Sequence, residues 1–315
     1  MENHESTSKR RHRLAVACAC QGQRLDRFLT DALPGVSRKQ IKRALDCGAV
    51  FLNDHVEKRA GRLLQGGERL ELTVEVSALP TREFTLPILY QDEDVLAVAK
   101  PPGLPVHANV AGAVNALDLV RELAGADQDP ILLHRLDADT TGVLLFALNR
   151  ASNRSLCWQF SERRVEKTYL ALVQGCPDRP FEVRNHLRPN VRGKTMEVRS
   201  GGQHAWTSVN PLSCHNGVAL VAARPHTGRT HQIRAHLAGS GYPLLGDTLY
   251  GGPAHLETVA GPVTCPRHLL HAAELTITHP RTDRLLTLQA PLPADFLQLL
   301  TGAGFTSPDY ANLGL

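Results

Sequence analysis

Long apolar runs are missing from this sequence: none of its 315 residues belongs to a stretch approaching the ~20 that cross a bilayer as a helix. Cysteine is sparse and unpatterned. The seven, Cys18, Cys20, Cys47, Cys157, Cys176, Cys214 and Cys265, are odd in number, scattered, and include no CxxC. That argues against a disulfide framework or a zinc ribbon and for a reducing cytoplasm. There is no GxGxxG in a strand–turn–helix setting and no GxxxxGK[ST], so neither common phosphate cradle for a nucleotide cofactor is expected. His231 and His236 are five apart, not the four that would align them on one helix face, which argues against a zinc pair. Solenoid repeats and low-complexity blocks are also lacking.

What is present is apolar material, 42% of residues, enough for a large domain plus a small one. Net charge is only +4 but unevenly placed: residues 1–80 hold 14 Lys/Arg against 10 Asp/Glu, and the remainder holds 21 of each. The first quarter therefore suggests a module facing a polyanion. Residues 1–12 are polar, basic and aperiodic, and read as a disordered tail. Lys9–Arg13 followed by Leu14–Cys20 imitates a secretory signal, but its apolar part is only seven residues long and Gln21-Gly-Gln-Arg24 follows at once. It reads as a first strand, with export as the minor alternative.

Leu25, Phe28, Leu29 and Leu33 share one face of a first helix, which Pro34-Gly35 ends. Ser37 is a good N-cap for a second helix running to about Cys47, with Gly48 beyond it. Ile41, Ala44 and Leu45 face inward, while Arg38/Lys42 and Lys39/Arg43 form i,i+4 pairs of like charge outside. Phosphates would neutralise that repulsion, although a solvated basic face has the same pattern. RLDRFL (24–29), SRKQIKRALDCGAVFLND (37–54) and GGERLELTV (66–74) resemble the S4 RNA-binding domain. The resemblance covers residues 13–76 and implies a small α/β domain. Its basic helix, with Arg38, Lys39, Lys42 and Arg43, would lie against RNA backbone. Residues 77–86 read as a linker.

A second domain, residues 87–300, is organised around ILLHRLDADTTGVLLFALNR (131–150). Two apolar runs read as buried strands, with Gly142 suited to a tight bend between them. Asp137 then lies at the end of a buried strand with Arg135 two residues before it. On this segment alone Asp137 reads as a loop acid capping a turn. Other segments change that. HRLDADTTG (134–142) resembles the HRLDxxTSG signature of the RluA-like family of RNA pseudouridine synthases. KPPGLPVH (100–107), KTYLALVQG (167–175), GRTHQIRAHLAGSGYPLLGDTLYGG (228–252), LLHAAEL (269–275) and PLPADF (291–296) resemble its other blocks, in order. Thr141 stands where serine is usual and Ala138 where a charged residue is common.

This resemblance implies an α+β catalytic domain on a mostly antiparallel or mixed sheet with a central cleft, followed by a tail over 301–315. It implies isomerisation of selected uridines to pseudouridine, most readily in large-subunit ribosomal RNA, with transfer RNA as the alternative. Substrate and product have the same atoms, so no cofactor, nucleotide or metal is expected. By resemblance, Asp137 is the nucleophile, on ribose C1′ or uracil C6, and Arg234 its counter-charge, with a bidentate fork orienting the carboxylate. Tyr169 stacks on the target base and is a candidate acceptor of the C5 proton. Arg135 braces the space the everted base vacates. Lys100, His107 and Arg229 are assigned to the cleft or RNA surface, and His134 to bracing the loop. A monomer in the cytoplasm, bound to no membrane, is expected. The competing readings are a non-catalytic RNA-binding protein and a hydrolase pairing Asp137 with Asp139 or Asp247.

Overall fold

Leucines two apart in sequence build the first of three sheets among the described residues. The computed structural model describes residues 7–33, 36, 38–77, 84–107, 114–125, 128–190, 193–258 and 261–306. It divides into two units, Met1–Glu83 with His107–Val114, and Phe84–Val106 with Asn115–Leu315.

The first unit holds β1 (Thr7–Ala15), α1 (Leu25–Ala32), α2 (Arg38–Asp46), β2 (Val50–Leu52), β3 (His55–Val56) and β4 (Arg69–Ser77). Its antiparallel sheet has the order β1-β4-β2-β3. Leu70 and Leu72 of β4, with Val50 and Leu52 of β2, bury against Leu25, Phe28 and Leu29 of α1 and Ile41, Ala44 and Leu45 of α2. The tail expected over 1–12 is corrected from residue 7 onward, because Thr7–Ala15 pairs along β4. An edge strand held by backbone bonds needs no apolar alternation. The first strand stops at Ala15, and Cys18–Cys20 forms a short 3-10 turn. Pro34, Gly35 and Ser37, the expected helix stop and N-cap, lie outside the described residues.

The second unit begins with β5 (Ile88–Gln91), β6 (Val95–Lys100), α3 (Ala116–Ala124), β7 (Ile131–Leu132), β8 (Thr141–Ala147) and α4 (Arg150–Ser161). It continues through β9 (Glu166–Gln174), β10 (Phe181–Pro189), β11 (Thr195–Glu197), β12 (Gln203–His215), β13 (Val218–Pro225) and α5 (Gln232–Gly239). The last elements are β14 (His255–Thr258), β15 (Gly261–Thr264), β16 (Leu270–Thr278), β17 (Leu285–Gln289) and α6 (Ala294–Ala303). Eleven strands form one sheet, β11-β10-β12-β13-β9-β16-β8-β6-β5, with β17 on β16 and β7 on β8. All pairings in it are antiparallel except β16 with β8, so the sheet is mixed and the fold α+β.

β9 shows how alternation positions the site. Leu170 and Leu172 join the core that contains α6, while Tyr169, Ala171 and Val173 share the opposite face with α5. Tyr169 pairs with Ala272 of β16, and Ala272 with Gly142 of β8. Gly142 is required by that contact and not by a bend: its φ is +116°, and a Cβ there would lie 2.1 Å from the Ala272 carbonyl oxygen. The expected buried strand before Asp137 is reduced to the half-buried pair Ile131–Leu132, and Asp137 lies in the loop beyond it.

Two other expectations are corrected. The tail expected from residue 301 is part of the fold as far as Phe305, because Ala303 and Phe305 bury with Phe296, Leu299 and Leu300. Cys176 and Cys214 form a disulfide, with Cα atoms 5.8 Å apart. They flank β13, an adjacency that their separation of 38 residues does not reveal. No helix among the described residues is long and apolar enough to cross a membrane.

Candidate active site

The loop from Leu133 to Thr140 has few backbone bonds of its own, chiefly Thr140 N–H to the Asp137 carbonyl at 3.1 Å. Two buried cations hold it instead. Nζ of Lys100, 1% exposed, donates to the carbonyls of Pro101, Leu104 and Ala138 at 2.8, 2.9 and 2.6 Å. Three acceptors match the three N–H donors of an ammonium, while burial pulls the pKa of Lys100 down to about 7. Arg267 forks onto Asp295 at 2.7 and 3.0 Å and turns Nη1 to the Asp139 carbonyl at 2.9 Å. The hydroxyls of Thr140 and Thr141 share hydrogen bonds with His268 and His271, each at 2.9 Å. His134 accepts the Leu145 N–H through Nε2 at 3.1 Å and stacks on Phe160. Burial pushes its pKa down to about 3, so the ring is a neutral acceptor.

The Asp137 carboxylate meets Arg234 of α5. Nη1 of Arg234 donates to Asp137 Oδ2 at 3.1 Å, while Nε and Nη2 fork onto Asp247 at 2.7 and 2.8 Å. The bidentate fork expected on Asp137 is therefore on Asp247, which is 2% exposed. Asp247, the deeper carboxylate, occupies the Nε/Nη2 edge, and Asp137 is left with a single contact to Nη1. Burial opposes the charge on Arg234, but Asp247 and Asp137 outweigh it and raise its pKa. Its guanidinium carbon lies 5.1 Å from the ring centre of Tyr250, whose hydroxyl bonds His231 Nδ1 and the backbone of Thr195. His231 Nε2 lies 3.8 Å from Asp137 Oδ2, and burial lowers the pKa of that ring.

These groups open into a cleft of about 720 Å³. One wall is Leu133–Asp137, the end of α4 and the start of β9; the other is Arg224–Arg234. The cleft is basic although the domain is nearly neutral: Arg135, Arg163, Lys167, Arg224, Arg229 and Arg234 line it against only Asp137 and Glu166. The structure thus brings together Asp137, Tyr169, Arg234, Arg135 and Arg229. Burial, then the Asp137 charge, pushes the Tyr169 phenol above its ordinary pKa.

Other predicted residues lie elsewhere. Lys100 is corrected from the cleft or RNA surface to the interior, where the three carbonyls hold it. His107 is exposed and clusters with the first unit. On α2, Lys42 and Arg43 are exposed, while the side chains of Arg38 and Lys39 lie outside those described. Asp247, as partner of Arg234, and Arg267 and Asp295 were missed. All three stand in or beside the family-like blocks at 228–252, 269–275 and 291–296, the one signal that could have found them.

Comparison with known proteins is consistent over almost the whole chain. The family model described as RNA pseudouridylate synthase matches residues 94–239, and that of the S4 domain matches residues 23–70. Ribosomal large subunit pseudouridine synthase D of Neisseria meningitidis serogroup A is 34% identical over 310 residues, 94% of this chain and 83% of that one. Ribosomal large subunit pseudouridine synthase C of Vibrio cholerae is 34% identical over 294 residues, 89% of this chain and 93% of that one. The solved structure of human RNA pseudouridylate synthase domain containing 4 aligns with a TM-score of 0.55 at 28% identity, covering 69% of this chain and 92% of that one. The chain belongs to the RluA-like family of RNA pseudouridine synthases, enzymes that isomerise uridine in RNA, and carries an S4 domain ahead of its catalytic domain.

Proposed function

We propose that the protein isomerises uridine to pseudouridine in large-subunit ribosomal RNA, with Asp137 as nucleophile. The relatives named for that ribosomal subunit support the substrate class. One observation carries the residue assignment: Arg234 holds Asp137 Oδ2 at 3.1 Å inside a basic cleft. Asp137 Oδ1 is left without a hydrogen bond among the described residues. An ionised carboxylate with one oriented and one unengaged oxygen is suited to attack an electron-poor carbon.

A uridine turned out of its helix enters the cleft, and Oδ1 bonds to ribose C1′ or to uracil C6. On the first route the N1–C1′ bond breaks with its electrons on N1. The base turns, C5 displaces the carboxylate from C1′, the C5 proton leaves, and N1 gains one. Nothing is oxidised or reduced, and no nucleotide or metal is consumed. Tyr169 is the platform for the base, and its raised pKa keeps it a phenol rather than a phenolate near neutrality. Arg135 braces the vacated space. Arg229, His107 and the α2 residues Arg38, Lys39, Lys42 and Arg43 contact RNA phosphates. The enzyme acts as a monomer in the cytoplasm, where its substrate is.

Mapping pseudouridines in ribosomal and transfer RNA from cells with and without the gene tests this reading. Loss of one or more large-subunit sites is expected. Loss confined to transfer RNA would move the substrate, and an unchanged map in both would overturn the proposal.

A further inference from the structure

The helix α4 carries cations where an isolated helix would not place them. Arg150 is its first residue, at the positive end of the helix dipole, and Arg154 follows one turn later. Both are exposed, the first turn contains no acid, and neither arginine has an ion-pair partner among the described residues. Four residues on, Trp158 is 49% exposed, with the Arg164 guanidinium carbon 4.4 Å from its ring centre. Ser161 then lines the cleft. Steps of four, four and three keep Arg150, Arg154, Trp158 and Ser161 on one face. The stripe is roughly 16 Å long at the rise of an α-helix.

The end of α4 adds a separate observation. Arg163 has a φ of 57°, its N–H bonds the Phe160 carbonyl, and the Arg164 N–H bonds the Gln159 carbonyl. That is the left-handed position of a Schellman ending, where glycine or asparagine is usual. Arginine occupies it here and lines the cleft. Cations at a helix C-terminus complement the dipole, which accounts for Arg163 and Arg164. The same reasoning disfavours Arg150, and the Arg164 contact still leaves Trp158 49% exposed.

We infer that this face of α4 carries the RNA strand running out of the cleft beside the target uridine. Phosphates lie on Arg150 and Arg154, and an unpaired base or ribose lies against Trp158. The inference rests on the RNA-isomerase reading of the cleft and adds a path for the flanking nucleotides.

The test uses the full chain with fluorescently labelled transcripts of large-subunit ribosomal RNA and, in parallel, transfer RNA. Wild type is compared with the double variant Arg150→Gln/Arg154→Gln, with Trp158→Ala and with Trp158→Phe, all at surface positions. On the transcript that wild type modifies, the double variant should bind about fivefold or more weakly, and its log K against log salt slope should be shallower by roughly 1.4 to 1.8, the signature of two lost phosphate contacts. Its kcat should stay within about twofold of wild type. Trp158→Ala should raise KM, and Trp158→Phe should recover most of that loss. Wild-type affinity and salt slope in both the double variant and Trp158→Ala would overturn the inference and favour a solvated face or a protein partner. A fall in kcat at unchanged KM would also overturn it. If wild type itself modifies neither transcript, the functional reading fails, and this inference with it.

Discussion

Asp247 takes both Nε and Nη2 of Arg234, at 2.7 and 2.8 Å, and so fixes the plane of the guanidinium whose remaining Nη1 reaches Asp137. Asp247 does not line the cleft. It acts on Asp137, the proposed nucleophile, through Arg234, which makes it a positioning residue. Asp247→Asn keeps the shape but loses one acceptor and the charge. Its kcat should fall by ~10- to 100-fold, as expected for a misplaced reacting group, with RNA affinity little changed. Asp247→Ala leaves a buried guanidinium half-paired and should cost ~3–5 kcal/mol of stability. Single-turnover rates and RNA binding measured side by side check this; wild-type chemistry in Asp247→Asn would remove the relay.

Asp137→Asn should abolish product while leaving RNA affinity within about threefold of wild type. The amide oxygen can still accept the Nη1 hydrogen bond of Arg234, but it is no nucleophile. Binding survives because the six cations of the cleft are untouched, among them Arg135, Arg229 and Lys167. Turnover and filter binding on one transcript suffice, and a wild-type turnover number would take Asp137 out of its role.

Tyr169→Phe should lower kcat by a factor that does not change between about pH 6 and 9. Burial and the Asp137 charge raise the phenol above its ordinary pKa of about 10, so no phenolate population appears in that range. Tyr169→Leu, which removes the flat ring, should lose more than Tyr169→Phe. A wild-type to Tyr169→Phe ratio that climbed tenfold per pH unit would instead mark the phenolate as the working base.

Asp137, Tyr169 and Arg234 were singled out through the family resemblance of HRLDADTTG, KTYLALVQG and the block at 228–252, whereas the local pattern alone made Asp137 a loop acid capping a turn. The groups that hold them were not. Arg267 acts on the carbonyl of Asp139, 128 positions away, and no periodicity encodes that pairing. Lys100 reads as a surface lysine because lysine is rarely buried, and only the folded loop supplies its three carbonyls. Gly142 announces a bend in sequence, yet its need comes from the backbone of a strand at Ala272. The alternation along β9 told which side chains share a face. It could not tell that β16 would lie between β9 and β8.

The pH profile of stability offers a further test, because several histidines are held neutral in the fold, among them His134, His236 and His271. Burial lowers the pKa of His134 to about 3 and those of His236 and His271 to about 4. His236 bonds Thr207 Oγ1 and Asn185 Oδ1 at 2.8 and 2.9 Å. His271 donates through Nε2 to the Ala290 carbonyl at 3.0 Å, which leaves Nδ1 to accept from Thr141. In the unfolded chain each ring titrates near ~6.5. Below that pH the unfolded chain binds protons that the folded chain does not, so stability falls as pH falls, until each folded pKa is reached. Each histidine contributes up to about 1.4 kcal/mol per pH unit, so the three together should remove ~4 kcal/mol between pH 6 and 5. Above about pH 8 they add almost no slope. Urea unfolding at pH 7, 6 and 5 reads the effect directly, with imidazole C–H resonances as a second check. A flat unfolding free energy across that range, or a ring that titrates near 6.5 in the folded protein, would show that these histidines are not held neutral.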